Sequence, residues 1–195
     1  GAPARRGGAK MKRDVMLDLE ALGTGPRAAI VAIGACEFDP RGGEVPSANA
    51  FYSRVTLASA MQYGEVDAST LLWWMQQADQ ARKDTFLGDA CRLELALISF
   101  NQWVSHIDNG GLANNVCVWG NGATFDNVVI RSAMTAVGET PGWSFRNDKC
   151  YRTVINLLPK DKQPEFVRSG TAHNALDDAV TQALYLQKVY KALGL

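Results

Sequence analysis

Two carboxylates stand inside an apolar run near the start of the chain, Val15-Met16-Leu17-Asp18-Leu19-Glu20. The run reads as a short buried strand, ended by the glycines of Leu22-Gly23-Thr24-Gly25-Pro26. Strand side chains alternate between faces, so Asp18 and Glu20 share one. Burying an unpaired carboxylate is costly, and two on one face repel each other. Either this end of the strand reaches solvent and both acids are hydrated, or cations bind there. Hard divalent ions such as Mg²⁺ take oxygen ligands of this kind.

The rest of the chain supplies an α/β frame for that strand. Ala29 to Phe38 reads as a second strand and Phe51 to Val55 as a third, with turn chemistry at Asp39-Pro40-Arg41-Gly42-Gly43. Short connections make these three antiparallel neighbours. The period then changes. Asp67 is placed to cap a helix through Leu71, Leu72, Trp74 and Met75. Leu93, Leu97, Phe100, Val104 and Ile107 recur at helical spacing, which predicts an amphipathic helix over Asp89 to Asp108, stopped by Asn109-Gly110-Gly111. Val116 to Trp119 is a buried strand, Thr124 to Val137 a helix, and Lys149 to Tyr151 a weak strand leading into a short helix before Pro159. A last helix spans Asn174 to Leu193, with Leu176, Ala179, Ala183, Leu186 and Tyr190 on its buried side and Gly194 as its stop. Three antiparallel strands followed by strand–helix units make a mixed central sheet flanked by helices.

Composition narrows the function classes. The 195 residues carry 20 Lys+Arg against 20 Asp+Glu, so a wholesale basic nucleic-acid coat is excluded. Any nucleic-acid contact is local or mediated by metal ions. The longest apolar stretch, Ala28 to Cys36, falls well short of the roughly 18 residues of a spanning helix. Cys36, Cys91, Cys117 and Cys150 show no C-x-x-C pairing, which argues against a cysteine zinc site and for a reduced, cytoplasmic protein. Residues 1–10 (GAPARRGGAK) read as a loose tail and residues 11–195 as one domain.

Two further acidic clusters lie far away in sequence. Asp126 follows the Val116–Trp119 strand and a glycine loop, in the first turn of a helix, where an acid either complements the helix dipole or faces the sheet edge at which sites gather. His173-Asn174-Ala175-Leu176-Asp177-Asp178 opens the last helix. Histidine beside carboxylates is suited to proton transfer near neutrality. Asp177 and Asp178 point about 100° apart, so they need not share a role. His106 lies off the apolar stripe of its helix and reads as solvated.

The order D-x-E, then F-D, then H-x-A-x-x-D resembles the DEDDh family of 3′→5′ exonucleases, over residue 14 to the C-terminus. The matching residues are Asp18, Glu20, Asp126, His173 and Asp178, so the pattern selects Asp178 over Asp177. Glu20-Ala21-Leu22-Gly23-Thr24-Gly25 and Cys150-Tyr151-Arg152-Thr153 add secondary matches, and Trp73-Trp74 looks most like the phage and bacterial exodeoxyribonuclease VIII branch. The chain departs from the pattern at Ala21, where many members have Thr. The resemblance implies a ribonuclease H-like fold and two divalent cations, Mg²⁺ or Mn²⁺, held by Asp18, Glu20, Asp126 and Asp178. Asp18, expected deepest in its strand, would bridge them. His173 would take the proton from the attacking water, and Ala21, Leu22, Gly23 and Thr24 would approach the terminal nucleotide. The implied substrates are single-stranded 3′ ends, with DNA placed ahead of RNA, and the implied assembly includes a homodimer.

Competing assignments leave different marks. Gly23-Thr24-Gly25-Pro26-Arg27-Ala28 fits the dinucleotide fingerprint G-x-G-x-x-A, but a helix should follow it and Ala29–Phe38 reads as strand. A non-catalytic binding module of the same fold has no use for buried acids, and an endonuclease would cut circles. Trp73, Trp74 and Tyr63 suggest base stacking, although adjacent tryptophans on a helix point different ways and one should pack in the core. Arg82, Lys83 and Arg131 could meet phosphates, or could simply be solvated.

Overall fold

The computed structural model describes residues 12–108 and 115–195. The tail expected at 1–10 and the stop at Asn109-Gly110-Gly111 lie outside them. The acid-bearing run forms β1 (Arg13–Ala21), paired antiparallel with β2 (Ile30–Phe38), which pairs antiparallel with β3 (Ala50–Arg54). On its other side β1 pairs parallel with β4 (Val116–Gly120), and β4 pairs parallel with the short edge strand β5 (Asp148–Cys150). The sheet order is β3-β2-β1-β4-β5. No helix among the described residues is long and apolar enough to cross a membrane.

Period-two alternation sorts β1 between two cores. Val15, Leu17, Leu19 and Ala21 face a large apolar cluster with α4 (Leu93–Ile107) and α5 (Asp126–Ala136). Met16 faces the other way, into a cluster with Cys36, Trp119 and the buried stripe of α7 (Ala175–Leu193). Asp18 and Glu20 share the parity of Met16, so they point to the α7 side. The stripe expected on α4 is buried throughout, as are Ala179, Ala183 and Leu186 of α7. Leu176 and Tyr190 are only partly buried.

Several helices differ from the sequence expectation. Two short ones were not foreseen, α1 (Leu57–Tyr63) and α3 (Asp79–Phe86). The α3 sequence DQARKDTF buries only Ala81 and Thr85, too little apolar spacing to register as periodic. The predicted Asp89–Asp108 helix starts four residues later, at Leu93, and Thr124–Val137 contracts to Asp126–Ala136. Asp67 occupies the N-cap position of α2 (Ala68–Met75) but makes no capping bond. Its carboxylate instead accepts from the Thr24 backbone N–H at 2.9 Å and from Thr24 Oγ1 at 3.2 Å.

One close approach fixes the geometry of everything that follows. Gly34 on β2 lies directly across from Asp18, and a Cβ there would overlap the backbone of Ala175 and Leu176. Glycine at this position lets the N-terminus of α7 sit down on the sheet beside Asp18.

Candidate active site

Asp18, Glu20, Asp126, His173 and Asp178 line one cavity of about 360 Å³ at the C-terminal ends of β1 and β4. Three separate elements deliver them. Asp126, first residue of α5, accepts from the Leu19 N–H at 3.2 Å, between the two strand acids, and from the Asn121 N–H at 2.7 Å. Gly120 makes room for this turn, since a Cβ there would crowd Asn127 and Asp126. Asp178 comes from the first turn of α7 and is ion-paired with Arg168. Asp177 points elsewhere. Its carboxylate accepts from the Thr171 N–H at 2.7 Å and packs against Gly170, whose φ is +71°.

Asp126 is 2 % exposed and Glu20 7 %. Asp18 is half-buried as a residue, but its carboxylate is enclosed by Gln182 and the neighbouring acids, while Asp126 is folded against the backbone of β1. Burial and mutual repulsion act on the whole group. Loss of solvent pushes Asp18 well above the carboxylate range, reinforced by Asp126, Glu20 and Asp178. Burial, with Asp178 and Asp126 nearby, raises Glu20 to about 8. Burial raises Asp126 to about 6, opposed by the backbone N–H groups it accepts from.

His173 sits at the rim in a strained backbone conformation. Its φ is +63°, the one positive value at a non-glycine residue among the described residues. Such a conformation costs about 1–3 kcal/mol and persists when its surroundings impose it. Here the His173 N–H donates to Asp178 Oδ2 at 3.1 Å, and its carbonyl accepts from the buried Thr85 Oγ1 at 3.1 Å. The unforeseen helix α3 thus holds the histidine. The ring lies edge-on to Trp73, 4.9 Å between centroids.

The donor set suits a hard divalent cation. Donor atoms of Glu20, His173 and Asp178 lie within 4.8 Å of one another. Gln182, one turn beyond Asp178 on α7, was missed by sequence reasoning. Its Nε2 donates to Asp18 Oδ1 at 2.7 Å, and its buried Oε1 has no hydrogen-bond partner. The signal was its i+4 spacing from Asp178 on one helix face.

A second cavity of about 400 Å³ adjoins the first across Leu19, Glu20 and Phe125, lined also by Ala21, Gly23, Thr24 and Trp73. Leu22 does not join them. It is 3 % exposed in the core, its N–H and C=O bound to Ala29 and Asp67 backbone groups, so its side chain is not presented to a ligand. Of the aromatic pair, Trp74 is buried and donates to the Ala21 carbonyl at 3.0 Å, while Trp73 is 41 % exposed. Tyr63 Oη donates to Glu94 Oε1 at 2.8 Å, and Tyr63 lines neither cavity. The basic candidates are also engaged: Lys83 and Arg82 with Asp79, Arg131 with Asp148.

Comparison with known proteins places this geometry. The profile of a family described as the 3′-5′ exoribonuclease Rv2179c-like domain matches residues 13–190. The chain belongs to this family. An exodeoxyribonuclease of Enterobacteria phage T4 is 24 % identical over 214 residues, covering 93 % of this chain and 91 % of the phage protein. E. coli Exonuclease I, solved with a dA16 oligonucleotide, is similar with a TM-score of 0.59 over 93 % of this chain at 13 % identity, and this chain spans 41 % of its length. S. pombe Pop2p, solved in an Mg²⁺- and Mn²⁺-bound form, gives a TM-score of 0.55 at 14 % identity, covering 91 % of this chain and 82 % of Pop2p. The fold is therefore ribonuclease H-like, and the chain is a 3′-5′ exonuclease, a phosphodiester hydrolase of the DEDD type.

Proposed function

We propose that this exonuclease removes nucleoside 5′-monophosphates from single-stranded 3′ ends, with two Mg²⁺ or Mn²⁺ ions held by Asp18, Glu20, Asp126 and Asp178. The observation that carries this is the convergence of four carboxylates from β1, α5 and α7 in one cavity, three of them with ionisation opposed by burial. Divalent cations bound there would offset that charge and stabilise the attacking and leaving oxygens of an in-line displacement. The unpartnered Gln182 Oε1 and the oxygen-rich donor set fit such ions. Pop2p's metal-bound form supports the choice of Mg²⁺ or Mn²⁺.

This chain's own groups do the rest. His173 at the rim accepts a proton from the attacking water as the water oxygen bonds to phosphorus. The bond from phosphorus to the upstream O3′ breaks, that oxygen takes a proton from solvent water, and the 5′-monophosphate leaves. Ala21, Gly23 and Thr24 receive the terminal sugar and base, with Asp67 holding Thr24 and the exposed Trp73 alongside. DNA is placed first, supported by the phage relative; RNA is the second reading, supported by the description of the family. The four unpaired cysteines suit a reducing, cytoplasmic setting.

Digestion of matched 5′-labelled DNA and RNA oligomers tests this. The expected result is a ladder shortened from the 3′ end with Mg²⁺ or Mn²⁺ and none with chelator. Cleavage indifferent to chelator, or cutting of circular strands, would refute it.

A further inference from the structure

The acid cavity has neighbours on two sides. The cavity of the 21–24 loop shares Leu19, Glu20 and Phe125 with it. On the other side lies an open groove of about 700 Å³ along α7, which shares Arg168 with the acid cavity and shares no wall with the 21–24 side. The acids therefore stand between the two. If the terminal nucleoside occupies the 21–24 side, a path for the remaining strand leads past Arg168 into this groove.

The groove is suited to receive it. Its cations are Arg41, Arg168, Lys188 and Lys191, and no carboxylate side chain lines it. Arg168 is held by Asp178 and Arg41 by Asp39, so Lys188 and Lys191 carry the charge that a strand would meet there. Lys188 and Lys191 lie one turn apart on the exposed face of α7. From Asp178 to Lys188 the helix rises about 15 Å, room for several nucleotides. Both walls are fixed. Gln187 Nε2 donates to the carbonyls of Asp39 at 2.9 Å and Gly43 at 3.1 Å, which pins the turn carrying Arg41. Tyr185 Oη donates to the Pro164 carbonyl at 3.1 Å, and Ser169 exchanges two 3.0 Å bonds with Thr181, which pins the segment carrying Arg168. Arg41 is paired with Asp39 at the edge, so it contributes less than a free cation.

We infer that this groove binds the sugar–phosphate backbone of the substrate strand upstream of the scissile bond, and so sets the direction in which the strand lies. This rests on the exonuclease reading above. The test compares a fluorescent single-stranded dodecamer with a dinucleotide, by anisotropy with Mn²⁺, in a His173→Ala background that slows turnover. Removing Arg41, Lys188 and Lys191 together, each to Gln, should weaken dodecamer binding by about tenfold and reduce the slope of log affinity against log salt by roughly 2. The dodecamer's advantage over the dinucleotide should collapse with it. Equal loss for both ligands would overturn the inference, because it marks a general field of the protein. An unchanged dodecamer affinity would overturn it too, and a dimer that this variant dissolves would then assign the groove to a second copy of the chain. If His173-intact protein cleaves nothing with Mn²⁺, the exonuclease reading itself fails, independently of the groove.

Discussion

The two faces of β1 are built for opposite ends. Toward α4 and α5, the strand offers Val15, Leu17 and Leu19, all inside one dry cluster. Toward α7, it offers Met16, then Asp18 and Glu20. The first face gains stability from apolar burial. The second holds like charges in a partly enclosed cavity, an arrangement that costs stability until cations or protons arrive. One strand thus divides its alternation between holding the fold and preparing a charged site.

Substitutions on the two faces should separate these roles. Leu17→Ala should cost about 2–5 kcal/mol, read as a lowered denaturant midpoint, with catalysis per folded molecule kept. Glu20→Gln should do the reverse. Its cleavage rate should fall by roughly 10³-fold or more, while the melting temperature in chelator stays level or rises, because a buried charge repelled by Asp178 and Asp126 has gone. A variant that both unfolds and loses activity would merge the two faces. His173→Ala should lower the cleavage rate by roughly 10²–10⁴-fold, the usual worth of a general base. Unchanged rates would make it a helix-entry residue only.

Proton linkage gives a smaller but sharper contrast. Native Glu20 keeps its proton up to about 8, against an ordinary 4.5, so over that interval the native state binds more protons than the unfolded one. Stability in chelator should be full below about pH 4.5 and decline as pH rises through 8. Saturating Mn²⁺ should flatten the decline, since the ions replace the protons. Melting scans across pH with and without Mn²⁺ measure both, and a chelated protein that grows more stable over that interval would contradict the assignment. The smallest effect expected is at Thr85. Thr85→Val removes one hydrogen bond to the strained His173 backbone, worth about 1 kcal/mol, and should lower the cleavage rate several-fold and shift its pH profile while leaving Mn²⁺ affinity intact.

Much of this was legible in the sequence, and the gaps have physical causes. Strand parity alone put Asp18 and Glu20 on one face, and the apolar spacing of α4 and α7 located the two layers that enclose the sheet. The family pattern chose Asp178 over Asp177, and the bond from Asp177 to Thr171 shows what occupies the other acid. What escaped was contact between distant segments. Nothing local marks Gly34 as the seat of α7, Thr85 as the partner of His173, or Asp67 as the support of Thr24 rather than a cap. Leu22 was misplaced because a glycine-rich loop gives no sign of which of its residues turns inward.

The central claim is that the acid-bearing half of β1 is completed by divalent cations. Calorimetric titration of Mn²⁺ into the intact protein and into Glu20→Gln tests it most directly. About two ions per chain should bind the intact protein, with a clear loss of affinity in the variant. Absence of binding to the intact protein, or equal binding to both, would contradict it.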